Sequence, residues 1–198
     1  GATGFASRYG GEFERKLSFY NQFEFANNEN FVAGVDYNYV FRNYNFFGEI
    51  SRSQNGGLAY VNGVLLSLNS RFSFTFLHRN YGRDFQNLLS NGIAEGSRSW
   101  NEKGVYLGFD AKLNGQFTLT GSMDFYKFPW MRFQTFTPNS SGFEYIAQLQ
   151  YRPSRNFIAY FRLRHQERDI NDSKVESSIY QLSTESRTNY RFNVSYKI

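Results

Sequence analysis

Phe117-Thr118-Leu119-Thr120-Gly121-Ser122-Met123-Asp124-Phe125-Tyr126 alternates without a break: Phe117, Leu119, Gly121, Met123 and Phe125 against Thr118, Thr120, Ser122, Asp124 and Tyr126. A period of two marks a strand whose two faces meet different surroundings, because successive side chains point to opposite sides of the pleat. The preceding run repeats it, with Val105, Leu107, Phe109 and Ala111 opposing Tyr106, Gly108 and Asp110, and Asn114-Gly115 between the two runs is a strong hairpin signal.

Working outward, the same reading fits Phe31, Ala33, Val35, Tyr37 and Tyr39 against Gly34, Asp36 and Asn38. It fits Phe143, Tyr145, Ala147, Leu149 and Tyr151 against Glu144, Gln148, Gln150 and Arg152, and Phe157, Ala159, Phe161 and Leu163 against Tyr160, Arg162 and Arg164. Last come Tyr190, Phe192, Val194, Tyr196 and Ile198 against Arg191, Asn193, Ser195 and Lys197. Weaker segments near 15–26, 45–53, 57–68 and 71–81 bring the expectation to about ten strands of roughly ten residues, the length a tilted strand needs to cross hydrocarbon. Strands of soluble proteins are usually about half as long.

Tight turns at Arg42-Asn43, Asn69-Ser70, Asn114-Gly115 and Pro153-Ser154-Arg155 fall at every second junction, and longer connections at 82–100, 127–141 and 167–179 lie between them. Outer-membrane barrels alternate short periplasmic turns and long extracellular loops in this way. Aromatic residues make up 20% of the chain, with 23 Phe and 15 Tyr, and a face of Phe and Tyr suits lipid, with Tyr at the headgroups. A soluble β-sandwich or propeller would want a dense Val/Ile/Leu core instead. Mean hydropathy is −0.58 and no run approaches the roughly eighteen apolar residues of a spanning helix, so a bilayer crossing would have to use strands. The expected architecture is an all-β, antiparallel transmembrane β-barrel occupying residues 1–198 as a single domain, or a portion of a larger barrel, in a bacterial outer membrane. The opening Gly1-Ala2-Thr3-Gly4, without an initiator Met, and the ending Tyr196-Lys197-Ile198, without a terminal aromatic, fit a processed or internal portion.

The net charge of +5 is spread along the chain without a cluster, so nucleic acid is not supported as a partner, and the absence of Cys excludes disulfides, thiolate metal sites and a cysteine nucleophile. His78 and His165 are the only imidazoles, in phase with the apolar face near strand ends. His78 with Asp84 and either Ser73 or Ser90 can be written as a triad, but no nucleophile elbow or paired-carboxylate spacing accompanies it. No catalytic residue, cofactor site or metal site is assigned.

Arg52, Arg71, Arg79, Arg152, Arg162, Arg164, Arg191 and Lys197 are in phase with the polar face, together with Glu24, Asp36, Glu49, Asp110, Asp124 and Glu144. Both signs on one face suit an ion-paired lumen, for which Asp124, Arg152, Arg162, Arg164 and Arg191 are the candidates; in a wide barrel such residues set ion selectivity. The segment Phe128-Pro129-Trp130-Met131-Arg132-Phe133 carries apolar bulk where the chain should leave the membrane, and 82–100, with Phe85, Leu88, Leu89, Ile93 and Trp100, reads as a short helix over the barrel mouth. Trp100, Trp130 and Arg132 are therefore the candidate protein-interface residues, with lipid headgroups as the rival surroundings.

Phe47-Gly48-Glu49-Ile50-Ser51-Arg52, Gly56-Gly57-Leu58-Ala59-Tyr60, Asn62-Gly63, Arg79-Asn80-Tyr81, Asn101-Glu102-Lys103-Gly104, Tyr106-Leu107-Gly108 and Phe128-Pro129-Trp130 occur in that order. Together they resemble the barrel region of Bacteroidota outer-membrane proteins whose longer chains carry a helix-hairpin-helix segment near the N-terminus. The resemblance covers roughly residues 35–198 and implies membrane location and fold; it transfers no site residue and no DNA binding. The expected role is a non-enzymatic, structural or transport-associated envelope component, a subunit of a larger outer-membrane complex meeting lipid and other envelope proteins through 82–100 and 127–141. The alternatives are a porin-like solute pore and, less favoured, a barrel enzyme acting on lipid or peptide.

Overall fold

The computed structural model describes residues 1–14, 16–172 and 181–197. It is all-β: β1 (Ala2–Arg8), β2 (Glu29–Phe41), β3 (Tyr44–Ser53), β4 (Leu58–Ser67), β5 (Phe72–Tyr81), β6 (Glu102–Lys112), β7 (Phe117–Phe128), β8 (Ser140–Tyr151), β9 (Phe157–Asn171) and β10 (Leu182–Tyr196). These form one 10-stranded antiparallel sheet in simple sequence order. Every strand pairs with its chain neighbour, so each local hairpin dictates the next register.

The turns explain that register. Asn69 Oδ1 accepts from the backbone N–H of Arg71 (2.8 Å) and Phe72 (3.0 Å), and Asn114 Oδ1 accepts from Gln116 (2.8 Å) and Phe117 (2.9 Å). Each asparagine thus folds the backbone back with its own side chain, the reason Asn is favoured at such corners. Arg42 takes a positive φ of 51° in the turn between β2 and β3. Connections 42–43, 68–71, 113–116 and 152–156 all lie at one end of the sheet, and 9–28, 54–57, 82–101 and 129–139 at the other, as expected from the alternation of short and long.

Side-chain phase also follows the sequence in the strands it identified. One face is bare: cross-strand neighbours Phe76, Leu107, Met123 and Tyr145 share a row, with Phe74 and Phe109 in the row below. Phe31, Val35, Phe74, Phe76, Leu107, Phe109, Met123, Phe125 and Phe161 are all exposed on this side. The other face is covered by the long connections, and the core lies between them: Val32, Ala59, Tyr81 and Phe85 are buried together, with Ala94 packed against them.

Several expectations are corrected. The sheet does not close into a barrel: β1 and β10 stand at its two ends and do not pair, a 7-residue strand facing a 15-residue one in the count of ladder groups they could offer. Among the described residues no strand occupies the stretch expected at 15–26; the additional strand is β1, and the described residues of 9–28 form an irregular connection whose aromatic residues pack on one another, as Phe13 does on Tyr9 (4.9 Å) and Phe25 (5.5 Å). Within it Asn21 folds the backbone into turns, its Oδ1 accepting from Ser18 N–H (2.7 Å) and its Nδ2 donating to Lys16 O (3.1 Å). Residues 82–101 contain no helix, because side-chain bonds fix the backbone locally, as Asn87 Oδ1 does by accepting from Leu89 N–H (3.1 Å). Arg52 is exposed on the bare face, since Arg52 pairs with Ala33 and Leu58, and Glu24 lies in 9–28 outside any strand. Of the connection expected at 167–179, residues through Asn171 extend β9; 173–179, like Ile198, lie outside the described residues.

Candidate functional site

The covered face is organised around Arg79. Strand alternation turns this side chain away from the bare face, and register places Gly104 directly opposite it on β6. A Cβ on Gly104 would fall 2.5 Å from the Arg79 guanidinium carbon, so only glycine lets the guanidinium lie flat across the strand. The guanidinium then reaches both ways. Its Nε donates to Glu102 Oε1 (2.7 Å), while Nη1 and Nη2 donate to Asp124 Oδ1 (2.8 Å) and Oδ2 (3.1 Å) in a two-point fork. Arg79 and Glu102 are 0% exposed.

Glu102 does more than pair with arginine. Its carboxylate accepts the backbone N–H of Glu95 (3.0 Å) and of Gly96 (3.0 Å), pinning connection 82–101 against the sheet. Nearby, Tyr81 OH donates to Ile93 O (3.0 Å), and Gln166 Nε2 donates to Glu95 Oε1 (2.8 Å) across the face from β9. Burial first, then the negative charges of Glu144, Glu102 and Asp124, raise the Glu95 carboxyl above the ordinary glutamate value.

The long connections are sewn to one another by amides. Asn101 accepts from Trp130 N–H (2.8 Å) and donates to Trp130 O (3.0 Å), joining 82–101 to 129–139. Gln86 Nε2 donates to Phe23 O (3.0 Å), and Asn30 Nδ2 donates to Gln86 O (2.9 Å), joining 9–28 and β2 to the same layer. Trp130 sits edge-on to Phe23 (5.3 Å), donates through Nε1 to Phe19 O (2.9 Å) and receives Arg83 over its ring (5.2 Å).

The residues singled out from sequence divide accordingly. Asp124 joins Arg79 at the centre, Arg164 pairs with Glu144 (2.5 Å), and Arg162 Nε donates to Gln148 Oε1 (2.8 Å). Arg191 lies opposite Arg162 on the same face and is exposed, whereas Arg152 is in the 152–156 turn at the far end. Trp100 and Arg132 line one cavity of about 330 Å³ with Tyr20, Glu24 and Phe133; Trp130 lies outside it, in its own aromatic stack. Arg132 rests over the Phe128 ring (4.1 Å), and burial, reinforced by the like charge of Arg168, lowers its guanidinium from the ordinary value. His78 lies tilted against Tyr60 (5.6 Å) and His165 stacks on Tyr145 (5.1 Å), both on the bare face and within strands. Ser73, by parity, points from β5 to the side opposite His78, so these two do not meet.

Glu102 was not singled out by sequence reasoning, nor was the role of 9–28. A glutamate at the first position of a strand gives no periodic signal; only the fold reveals that its carboxylate faces two backbone N–H groups six and seven residues upstream. Chemically, the arrangement neutralises charge. The Arg79 guanidinium occupies the space between Glu102 and Asp124 where a bound cation would have to sit, and among the described residues no group of His, Asp and Glu is placed to hold a metal. No protein-family model matches the chain, and no curated protein or solved structure matches it at a significant level.

Proposed function

We propose that this chain is a non-enzymatic outer-membrane β-barrel protein, or a portion of one, whose bare face meets lipid and whose covered face is a plugged lumen. The observation that carries this reading is the contrast between the faces. Phe74, Phe76, Phe109, Met123 and Phe125 stand exposed side by side on one, while on the other Arg79, Glu102, Asp124 and Glu95 are paired and roofed by connection 82–101. Soluble monomers rarely expose apolar patches beyond a few hundred Å². The unpaired edges of β1 and β10 favour completion by further strands, because closure removes such edges. The resemblance of the ordered short motifs to Bacteroidota barrel proteins agrees with a structural or transport-associated role, with Trp100 and Arg132 offering the covered end to other envelope proteins.

The test is folding in lipid. Protein refolded with phosphatidylcholine vesicles should float with them and withstand protease along β2–β9; a monodisperse, folded protein in detergent-free buffer that ignores vesicles would overturn the reading. A solute pore is the second reading, favoured by the facing Arg162 and Arg191, which carry like charge without a carboxylate between them. Steady single-channel conductance in planar bilayers would favour the pore; a silent bilayer favours the plug.

A further inference from the structure

Lys103 on β6 and Lys127 on β7 are direct cross-strand partners on the bare face, at the end that carries the long connections. Both are exposed, and among the described residues neither ammonium has an ion-pair partner. Like charges directly opposite one another destabilise a sheet. The nearest carboxylates are turned elsewhere: Asp169 Oδ2 accepts Ser141 N–H (2.7 Å) and Oγ–H (3.0 Å), and Glu167 Oε1 lies 3.3 Å from His165 Nε2. The pair is therefore a local positive charge in which neither ammonium is ion-paired, with Glu167, Arg168 and Asp169 on the far wall of the same cavity.

What lies beneath it is apolar. Below Lys103–Lys127 the register stacks Val105–Phe125, then Leu107–Met123, then Phe109–Gly121. A cavity of about 530 Å³ opens at the lysines, lined also by Val105, Phe125, Phe143 and His78. A second, of about 430 Å³, continues along the same strands between Leu107, Phe109, Met123 and Tyr145, where Ala147 adds little bulk and the Phe109 ring lies over Gly121. From Lys103 to Phe109 the strand runs roughly 20 Å at about 3.3 Å per residue, at least the depth of one leaflet's hydrocarbon, roughly 15 Å.

We propose that β6 and β7 hold a phosphate-bearing lipid on the bare face, its anionic headgroup between Lys103 and Lys127 and its acyl chains along the grooves down to Phe109 and Ala147. A cation pair above a continuous apolar trough matches the two halves of such a molecule: a free anion would leave the trough empty, and a neutral lipid would leave the lysines facing each other. The site rests on the reading that this face meets lipid.

The experiment reconstitutes the protein into phosphatidylcholine vesicles with and without a minor fraction of phosphatidylglycerol, and measures which lipid remains bound after delipidation by native mass spectrometry. Wild type should retain phosphatidylglycerol preferentially, about fivefold for each lysine engaged. Lys103→Gln with Lys127→Gln should insert into both vesicle types yet lose the preference. Ala147→Phe, which fills the lower groove, should weaken retention of long-chain phosphatidylglycerol while leaving that of a short-chain analogue. An undiminished preference in the double lysine variant would overturn the site, as would displacement of the lipid by inorganic phosphate at equal concentration. Failure of wild type to enter either vesicle would instead overturn the membrane reading on which the site rests.

Discussion

Arg79 and Arg191 belong to the same face of the same sheet, reached by the same alternation, yet one is wholly buried and the other lies open. In β5–β7 the covered face carries an arginine threaded between Glu102 and Asp124, with 82–101 pressed on top. In β9–β10 the corresponding face presents Arg162 opposite Arg191, and β10 is exposed on both sides over most of its length, Phe192 at 72%. Alternation decides which way a side chain points. Whether that direction is an interior depends on what the loops bring to it.

The largest difference should appear when each arginine is removed. Arg79→Met leaves the buried Glu102 and the partly buried Asp124 without their cation and should cost about 3–5 kcal/mol. Arg191→Met removes an exposed charge and should stay within about 0.5 kcal/mol. Denaturant unfolding from micelles or vesicles measures both, and similar losses at the two sites would dissolve the distinction between the regions.

A second contrast sets the two faces against each other within β7–β9. Phe161 and Thr120 lie on opposite sides of the sheet. If the bare face meets lipid, Phe161→Arg near mid-membrane should cost roughly 2–4 kcal/mol. Thr120→Lys, on the covered side, should cost much less. The vesicle-folding equilibrium reports each variant, and the reverse order would mean that the bare face is not the lipid face.

The strands show why some of this was legible in advance. Residues 117–126 and 157–164 alternate, so their facing, and that of Asp124, Arg162 and Arg164, could be read residue by residue, whereas Lys127 and residues 167–171 depart from the pattern where the strands run on into what read as connections. Closure could not, because it depends on a meeting of β1 and β10 that no local pattern encodes. Nor could the loop layer: Asn30, Gln86 and Asn101 recognise backbone groups far away in sequence, which leaves no spacing rule to find. The stretch 82–100 suggested a helix from its apolar spacing, but Phe85 was placed by the core of Val32, Ala59 and Tyr81 instead.

Trp130 sharpens the comparison at the rim. Its contacts with Phe23 and Arg83 are internal, so Trp130→Ala should loosen 9–28 and 129–139 before it affects any strand. Losing the aromatic pair and the cation–π contact should together amount to about 1–2 kcal/mol. Limited proteolysis should show earlier cleavage in those connections with β5–β8 still protected. A uniform loss of protection would mean that the loop layer and the sheet unfold as one unit.

The smallest effect tests whether the buried centre is fully relaxed. Glu95 hangs from the loop into the covered face, and its carboxyl titrates above the ordinary glutamate value because it is buried beside Glu144, Glu102 and Asp124. A carboxyl whose pKa is raised on folding binds its proton more tightly in the native state, so the native state holds more protons wherever pH lies between the unfolded and folded values. Stability from this group is therefore complete below the ordinary carboxylate range and is lost as pH rises through the higher, folded value. Once ionised, above its raised pKa, Glu95 works against the fold, held by Gln166 but surrounded by its own sign. Glu95→Gln removes that charge while keeping an amide that can still meet Gln166. The variant should melt progressively higher than wild type as pH rises above the ordinary glutamate value, and the two curves should converge as pH falls back toward it. A variant that is less stable at neutral pH, with a gap unchanged by acid, would show that the Glu95 carboxylate is a structural acceptor and not a strained charge.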